Sequence, residues 1–322
     1  MSWNVAWAEA QIKNGGRFGP KRVMEQVYKH NCEVFDLWAH NLPTGVKGGL
    51  GDRNALLTGT KVYARAFDVY EVQSCGKELK TGCANADCGE IAKGLIEKGY
   101  KPAILNLASR RHPCGGYDAG MSAQEEALCR ASTLSQSLYQ YYDSKYKCVR
   151  DAQVPTHYNA YPLDIDFGGI YSPDVTFFRE GKDKFYAFRE QPFKCGVITV
   201  AALSFRESNR YCNDELHFRA ADGGFTSQGE AVQLNKIRTI YRIALKNGHD
   251  SIVLGAFGCG VNKLPSAAVA NQFKAVLEEP EFKGKFAALV FAIMEGRGST
   301  RKPVEENGKF APFYATFGRW TW

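Results

Sequence analysis

An apolar run that leads into a glycine turn and then a helical pattern, between residues 103 and 134, most constrains the fold of this 322-residue chain. Residues 103–108 are mainly apolar, which is typical of a buried strand, and the turn at Pro113 breaks any periodicity. From Ser122 the apolar spacing is helical, and Glu125 three residues later predicts a capping box. The segment therefore predicts a strand, a loop and a helix in succession.

Two adjacent carboxylates, Glu125 and Glu126, lie in the first turn of this predicted helix. Glycines let a backbone approach a phosphate closely, and free N–H groups at a loop or helix start favour an anion. A nearby carboxyl group is then suited to attack or protonate whatever the anion carries. The pattern also fits an ordinary helix start, where acids complement the helix dipole, so the residues alone leave both interpretations open.

A second strand, glycine loop and helix are predicted farther along the chain. Residues 251–254 are apolar, glycines follow at positions 255, 258 and 260, and Pro265 precedes a helical pattern over residues 266–279. This is again an arrangement that holds a diphosphate at a helix N-terminus. Glycines also form plain strand-to-helix turns, so the spacing by itself does not distinguish a diphosphate site from an ordinary turn.

The remaining patterns predict an α/β fold. Strands and helices alternate from about residue 60 onward, which predicts a mixed sheet with helices on both faces. Helices are expected over residues 20–39, 84–99 and 226–247, a strand or hairpin over residues 61–74, and strands over residues 185–188, 195–203 and 287–294. Residues 1–55 are predicted to be a helical extension and residues 56–322 the main domain.

The composition is that of an ordinary globular protein, with 44% hydrophobic and 23% charged residues. The net charge of +7 is spread along the chain, so it tolerates a polyanionic ligand without indicating a nucleic-acid site. No apolar run reaches the ~18 residues of a membrane helix, so we expect a soluble protein with no membrane partner. The N-terminal sequence shows no signal-peptide pattern, and a cytoplasmic or nuclear location is expected.

The ten cysteines raise the question of disulfides or zinc. Without a secretion signal we expect reduced thiols. Cys83 with Cys88, or His112 with Cys114, has the spacing of half a zinc site, but no second pair completes either one. The sequence therefore predicts no metal.

The first loop and helix resemble the bacterial and fungal type of poly(ADP-ribose) glycohydrolase, a macrodomain family whose signature is a triple glycine, a short spacer and Gln-Glu-Glu. Here Cys114-Gly115-Gly116 is followed by seven residues and then by Gln124-Glu125-Glu126. Residues 128–134, 168–179 and 254–261 resemble further stretches of the same family. The resemblance implies a macrodomain-like, three-layer α/β/α fold with a central mixed sheet, preceded by the N-terminal helical extension.

The resemblance also implies hydrolysis of the ribose–ribose bond of poly(ADP-ribose). Such bonds break through an oxocarbenium-like state, so the leaving oxygen needs a proton. By this analogy Glu126 protonates the leaving oxygen and then activates water, while Glu125 binds ribose hydroxyls. The implied substrate is poly(ADP-ribose) or an ADP-ribosylated protein and the product is ADP-ribose. No cofactor is implied, and we expect a monomer.

The substrate-binding residues are likewise carried over from the family. Gly115 and Gly116, together with the second glycine loop, are expected to hold the diphosphate, and Gln124 to orient the glutamates. Asn106 is expected to reach the ribose through its amide, although a bond to its own backbone is an equal alternative. The full expected set is Asn106, Cys114, Gly115, Gly116, Gln124, Gly255, Phe257, Gly258, Cys259, Gly260, Val261 and Asn262.

Two positions depart from the family pattern. Cys114 stands where the first glycine is expected, and a residue with a Cβ is strained at φ > 0. Asn262 stands where relatives often carry an aromatic residue against the ribose, and an asparagine cannot stack. Two alternatives therefore stay open: a macrodomain that only binds ADP-ribose, and a mono-ADP-ribosyl hydrolase that acts on protein or nucleic-acid adducts. The adjacent glutamates favour an enzyme.

Overall fold

The computed structural model of the protein describes residues 2–16, 19–41, 47–141, 160–207, 215–295 and 308–322. Its helices are α1 (Val5–Asn14), α2 (Gly19–Leu37), α3 (Arg53–Gly59), α4 (Cys88–Glu97), α5 (Gln124–Ala131), α6 (Leu134–Tyr139), α7 (Ser227–Lys246), α8 (Ser266–Leu277) and α9 (Phe310–Phe317). Its strands are β1 (Ala39–Asn41), β2 (Lys47–Gly49), β3 (Lys61–Tyr63), β4 (Lys80–Ala84), β5 (Pro102–Leu107), β6 (Gly169–Arg179), β7 (Phe188–Val200), β8 (Ser251–Leu254) and β9 (Ala288–Ala292).

Within these residues, seven strands form one mixed sheet in the order β3-β6-β7-β5-β8-β9-β4, and β1 pairs with β2 separately. Strands β5, β8, β9 and β4 are parallel, with Ser251 opposite both Pro102 and Ala288. Most residues of β5, β8 and β9 are buried, as continuous apolar runs in a parallel sheet should be. The predicted α/β fold with a central mixed sheet is confirmed.

The chain divides into two compact units. The first unit consists of Met1–Val62, Ala108–Leu163 and Ile170–Val197, and the second of Tyr63–Leu107, Asp164–Gly169 and Ile198–Trp322. Each unit is therefore assembled from segments that are distant in sequence. The division of the chain after residue 55 stays a prediction.

The first unit contains α2, which follows closely the helix predicted over residues 20–39. Val27, Val34 and Phe35 lie on its buried face at helical spacing. Val34 and Phe35 pack with Phe178 of β6 and Phe188 of β7 in one hydrophobic cluster. The apolar stripe of this N-terminal helix is thus covered by strands of the same unit.

The second unit contains the two long helices that the sequence predicts. α7 begins after Thr226, whose hydroxyl accepts the N–H of Gly229 at 3.1 Å, and Gly248 follows its end with φ of 78°. The buried rings of Tyr241 on α7 and Phe273 on α8 have centroids 6.2 Å apart. Both helices therefore contribute aromatic residues to one core.

Three local predictions are wrong. Ser122 does not cap α5, which begins after Ala123 with no side-chain cap, because the Glu125 carboxylate bonds elsewhere. The strand or hairpin expected over residues 61–74 is limited to β3. The strand expected from residue 185 begins at Phe188, because Phe185 and its neighbour Tyr186 have left-handed backbones, each with φ of 55°.

The structure also bears on the expectations from composition. Seven described cysteines are free, but Cys32 is disulfide-bonded, so the expectation of reduced thiols is wrong for that residue. Among the described helices, none has both the length and the apolar character needed to cross a membrane.

Candidate functional site

The two glutamates lie in the first turn of α5, and both side chains are buried, Glu125 being 3% and Glu126 7% exposed. Glu125 Oε2 accepts the N–H of Ser109 at 2.7 Å, and Glu126 Oε1 accepts the N–H of Gly116 at 3.0 Å. Glu126 Oε2 is buried without a hydrogen-bond partner in the described parts of the chain. Because such an atom is costly to bury, it points to a role with a ligand.

Residues 109–126, which we call the glutamate loop, leave no room for a side chain at Gly115. Its φ is 55°, and a Cβ there would contact Glu126 Oε1 and lie 3.2 Å from Glu125 Oε2. Glycine at this position is therefore required for both the backbone conformation and the close approach of the carboxylates.

Several N–H groups of the glutamate loop form hydrogen bonds within the loop. Gly115 donates to the carbonyl of His112 at 3.1 Å, Gly116 donates to Glu126, and Tyr117 donates to the carbonyl of Cys114 at 3.1 Å. The role of Gly115 and Gly116 in holding a diphosphate stays a prediction, and their N–H groups are engaged within the loop in this structure.

Cys114 has a left-handed backbone, a conformation that favours glycine. Its φ is 62°, which costs a residue with a Cβ about 1–2 kcal/mol. The thiol is fully buried and hydrogen-bonds with Cys129 and Tyr139. Burial raises the pKa of the Cys114 thiol well above its usual range, so the group stays neutral. Buried contacts of the side chain thus offset the strain of the backbone.

Helix α2 supports the glutamate loop through Tyr117. Asn31 Nδ2 donates to the hydroxyl of Tyr117 at 2.8 Å and to the carbonyl of Arg130 at 3.0 Å. Arg130, on the same helix as the glutamates, donates to the carbonyl of Tyr117 at 3.1 Å. Tyr28 packs edge-on against the Tyr117 ring, with centroids 4.9 Å apart. All four groups belong to the first unit, so a helix of the predicted extension helps to fix the loop that carries the glutamates.

Asn31 also connects α2 to a buried cation, Arg179. Arg179 Nε donates to Asn31 Oδ1 at 2.7 Å, and Arg179 Nη2 lies 2.6 Å from His30 Nδ1. Burial and then the charge of Arg179 lower the pKa of His30 to about 4, and the same two causes lower that of His40 to about 4. Both imidazoles are therefore neutral at pH 7.

The second loop, residues 255–264, which we call the glycine loop, follows β8 in the second unit. Phe257 donates to Gly255, Cys259 to Ala256 and Leu264 to Gly258 through backbone bonds of 2.8–3.0 Å. Gly258 has φ of 76°, and a Cβ there would contact Leu264 and lie 2.8 Å from the Cβ of Ala202. The sharp turns of this loop therefore depend on the missing side chain at Gly258.

The glycine loop has three consecutive N–H groups without a partner among the described residues. The N–H groups of Gly260, Val261 and Asn262 make no hydrogen bond to any described residue. Gly260 is exposed, and the side chain of Val261 is 56% exposed. Free N–H groups in a turn form a concave site suited to an anion.

The remaining predicted binding residues have different environments. Phe257 is fully buried and packs edge-on against Phe273, which gives it a core position. Asn106 is also fully buried, and its Nδ2 donates to Thr199 Oγ1 at 3.2 Å. Gln124 is half-buried at the start of α5, and Gly255 packs close to a neighbouring strand residue, Leu107.

Some residues at these loops were missed by the sequence analysis. Asn31 is 86 residues from its partner Tyr117, and Lys309 lies far in sequence from the glycine loop that it approaches. Neither residue is part of a local motif, so no spacing in the sequence could have indicated it. Among the described residues, no group of three or more His, Cys, Asp or Glu side chains is arranged to hold a metal ion.

Comparison with known protein families gives a match to one family. The sequence model of the family described as microbial-type PARG, catalytic domain, matches residues 33–180, where PARG denotes poly(ADP-ribose) glycohydrolase. A search of curated proteins found no match.

Two solved structures of bacterial enzymes are similar to most of the chain. Poly(ADP-ribose) glycohydrolase from Thermomonospora curvata, bound to the inhibitor ADP-HPD, is 26% identical with a TM-score of 0.67, and the match covers 91% of this chain and 97% of that one. The enzyme from Deinococcus radiodurans in complex with ADP-ribose is 23% identical with a TM-score of 0.62, over 84% and 98%, and shows the fold. The resemblance that the Gln-Glu-Glu motif predicts is thereby confirmed: the chain has the fold of these enzymes, and residues 33–180 match the catalytic domain of the microbial-type poly(ADP-ribose) glycohydrolase family.

Proposed function

We propose that this protein hydrolyses the O-glycosidic ribose–ribose bonds of poly(ADP-ribose) and releases ADP-ribose. The observation that carries the proposal is the Glu126 carboxyl group, which is buried with one oxygen on the N–H of Gly116 and the other without a partner among the described residues. The family match over residues 33–180 includes this glutamate and its loop.

The Glu126 carboxyl group is suited to general acid and base catalysis. In the first step its proton passes to the ribosyl oxygen that leaves, the C–O bond breaks, and positive charge develops on the anomeric carbon and ring oxygen. In the second step the carboxylate takes a proton from water, whose oxygen bonds to that carbon. Glu126 returns to its starting state, and one water is consumed for each bond broken.

Glu125 and the glycine loop have binding roles in this proposal. Glu125 Oε2 is held by the N–H of Ser109, which fixes the carboxylate so that it can accept hydrogen bonds from ribose hydroxyls. The free N–H groups of the glycine loop bind the diphosphate. Asn106 and the residues around Gly115 remain proposed substrate contacts by family analogy.

The test is to measure ADP-ribose released from poly(ADP-ribose) and from a mono-ADP-ribosylated protein by the wild type and by Glu126→Gln. Glutamine keeps the shape of the side chain and removes the acid. We expect release from the polymer by the wild type, and a loss of roughly 10²–10⁴-fold in the variant. ADP-ribose affinity, measured by calorimetry, should change little.

Other outcomes would replace the proposal. Release from the mono-modified protein alone would show a mono-ADP-ribosyl hydrolase. Binding of ADP-ribose without release from either substrate would show a macrodomain that only recognises its ligand. A wild-type rate retained by Glu126→Gln would remove the catalytic role of Glu126.

A further inference from the structure

Lys309 places a positive charge beside the glycine loop of the second unit. Its Nζ lies 4.0 Å from the position that a Cβ on Gly260 would occupy, and Gly260 is one of the residues with a free N–H group. Burial raises the pKa of Cys259 to about 11, and a bond with Ser266 and the charge of Lys309 partly oppose that rise. The charge of the Lys309 ammonium group therefore acts electrostatically on a residue of the glycine loop.

The backbone of Lys309 is fixed at the start of α9. Glu295 Oε1 accepts the N–H groups of Lys309 at 2.6 Å and Phe310 at 3.1 Å, and the N–H of Glu295 donates to Asn85 Oδ1 at 3.1 Å. The carboxylate of Glu295, 14 residues before Lys309, thus satisfies two N–H groups at the start of the helix.

The ammonium group of Lys309 is left available. No ion pair or hydrogen bond of its Nζ is formed with any described residue. Lys309 is half-buried, and its ammonium group has no acidic partner among the described residues. It lies beside three consecutive N–H groups that are likewise unbonded there, and both features favour a negatively charged ligand.

We infer that Lys309 is a binding residue for the diphosphate of the ADP-ribosyl ligand. A diphosphate carries two negative charges, and the N–H groups of Gly260 and its neighbours supply only partial positive charge. Lys309 supplies a full positive charge from a position that the loop's glycine keeps open. The inference rests on the proposed function, since it takes the glycine loop as the diphosphate site.

Calorimetric titration with ADP-ribose and with adenosine tests the inference on wild type, Lys309→Met and Lys309→Arg. We expect Lys309→Met to bind ADP-ribose about 10-fold more weakly and with less dependence on salt, and Lys309→Arg to stay within about 3-fold of the wild type. Adenosine, which has no phosphate, should bind all three equally, which also verifies their fold. Lys274→Met, on the exposed face of α8, is the charge-matched control and should bind as the wild type does.

The outcomes separate this inference from the proposed function. If the wild type binds ADP-ribose and Lys309→Met binds it equally well, the inference is overturned and the proposed function stands. If the wild type does not bind ADP-ribose, both are overturned. If Lys309→Met loses affinity for adenosine to the same extent, the residue stabilises the fold and is not a phosphate ligand.

Discussion

The glutamate loop and the glycine loop are both glycine turns between a strand and a helix, but they differ in what some of their N–H groups bind. In the glutamate loop, the N–H groups of Ser109 and Gly116 bind the protein's own carboxylates. In the glycine loop, the N–H groups of Gly260, Val261 and Asn262 have no partner in the described parts of the chain. In the proposed function, the turn that binds internal carboxylates positions the catalytic groups, and the turn with unbonded N–H groups binds the diphosphate. The same pattern of strand, glycine turn and helix therefore has two different proposed roles.

The largest effect expected from this comparison is on turnover, through Gly115→Ala. The new methyl group would contact Glu126 Oε1, and the backbone φ of 55° is strained for alanine. We expect kcat to fall about 100-fold or more, with a much smaller change in ADP-ribose affinity. Gly76→Ala is the control, because its φ of 66° is also positive but a Cβ there would have no neighbour within 4 Å among the described residues. Equal losses in both variants would contradict the interpretation.

The next effect is on affinity, through Gly258→Ala in the glycine loop. A methyl group there would meet Leu264 and Ala202 at a φ of 76°, so the loop must change shape. We expect the Kd for ADP-ribose to rise about 10-fold. The matched control is Gly248→Ala at the end of α7, where φ is 78° and a Cβ would have no described neighbour within 4 Å, and its affinity should stay within about 2-fold. If Gly258→Ala lowers kcat while leaving Kd unchanged, the two loops do not divide their roles as proposed.

A smaller effect tests the support that α2 gives to the glutamate loop. Tyr117→Phe removes the hydroxyl that accepts from Asn31 and leaves a buried donor unsatisfied, which costs about 1–3 kcal/mol of stability. We expect kcat to fall about 3- to 10-fold with KM little changed. The control is Tyr241→Phe in the second unit, where a buried hydroxyl donates to the Phe273 carbonyl at 3.2 Å. That variant should lose stability without a change in kcat. A larger loss of kcat in Tyr241→Phe than in Tyr117→Phe would show that Tyr117 has only a structural role.

The smallest effect expected is on the pH dependence of stability in the first unit. His30 and His40 have a folded pKa of about 4, below the ordinary value of 6.5. The unfolded chain therefore binds more protons between these two values, so this contribution to stability is complete above about pH 6.5 and is lost as the pH falls towards 4. Replacing both with glutamine should reduce the drop in Tm between pH 7 and pH 5 by roughly 3 °C. His217→Gln, exposed in the second unit, should leave the drop as it is.

The helices and the central strands were predictable because their signals are local. α7 follows the predicted range almost residue for residue, since Thr226 and Gly248 mark its ends in the sequence. β5 was equally clear from its apolar run. The start of β7 was not, because Phe185 and Tyr186 have left-handed backbones that their side chains do not indicate. Prediction succeeded where propensity and spacing carry the information, and failed where the backbone is set by its surroundings.

The sequence by itself determined the α/β fold, the glycine loops and the position of the two glutamates, because glycine conformation and apolar periodicity act between near neighbours. Only the tertiary structure decided which carboxylate oxygen of Glu126 is free, that Asn31 fixes Tyr117, and that Lys309 approaches the glycine loop. It also decided that Cys114 can replace a glycine, because the buried contacts of its thiol offset the strained backbone. These features depend on contacts between residues far apart in the chain, and no spacing of residue types encodes them.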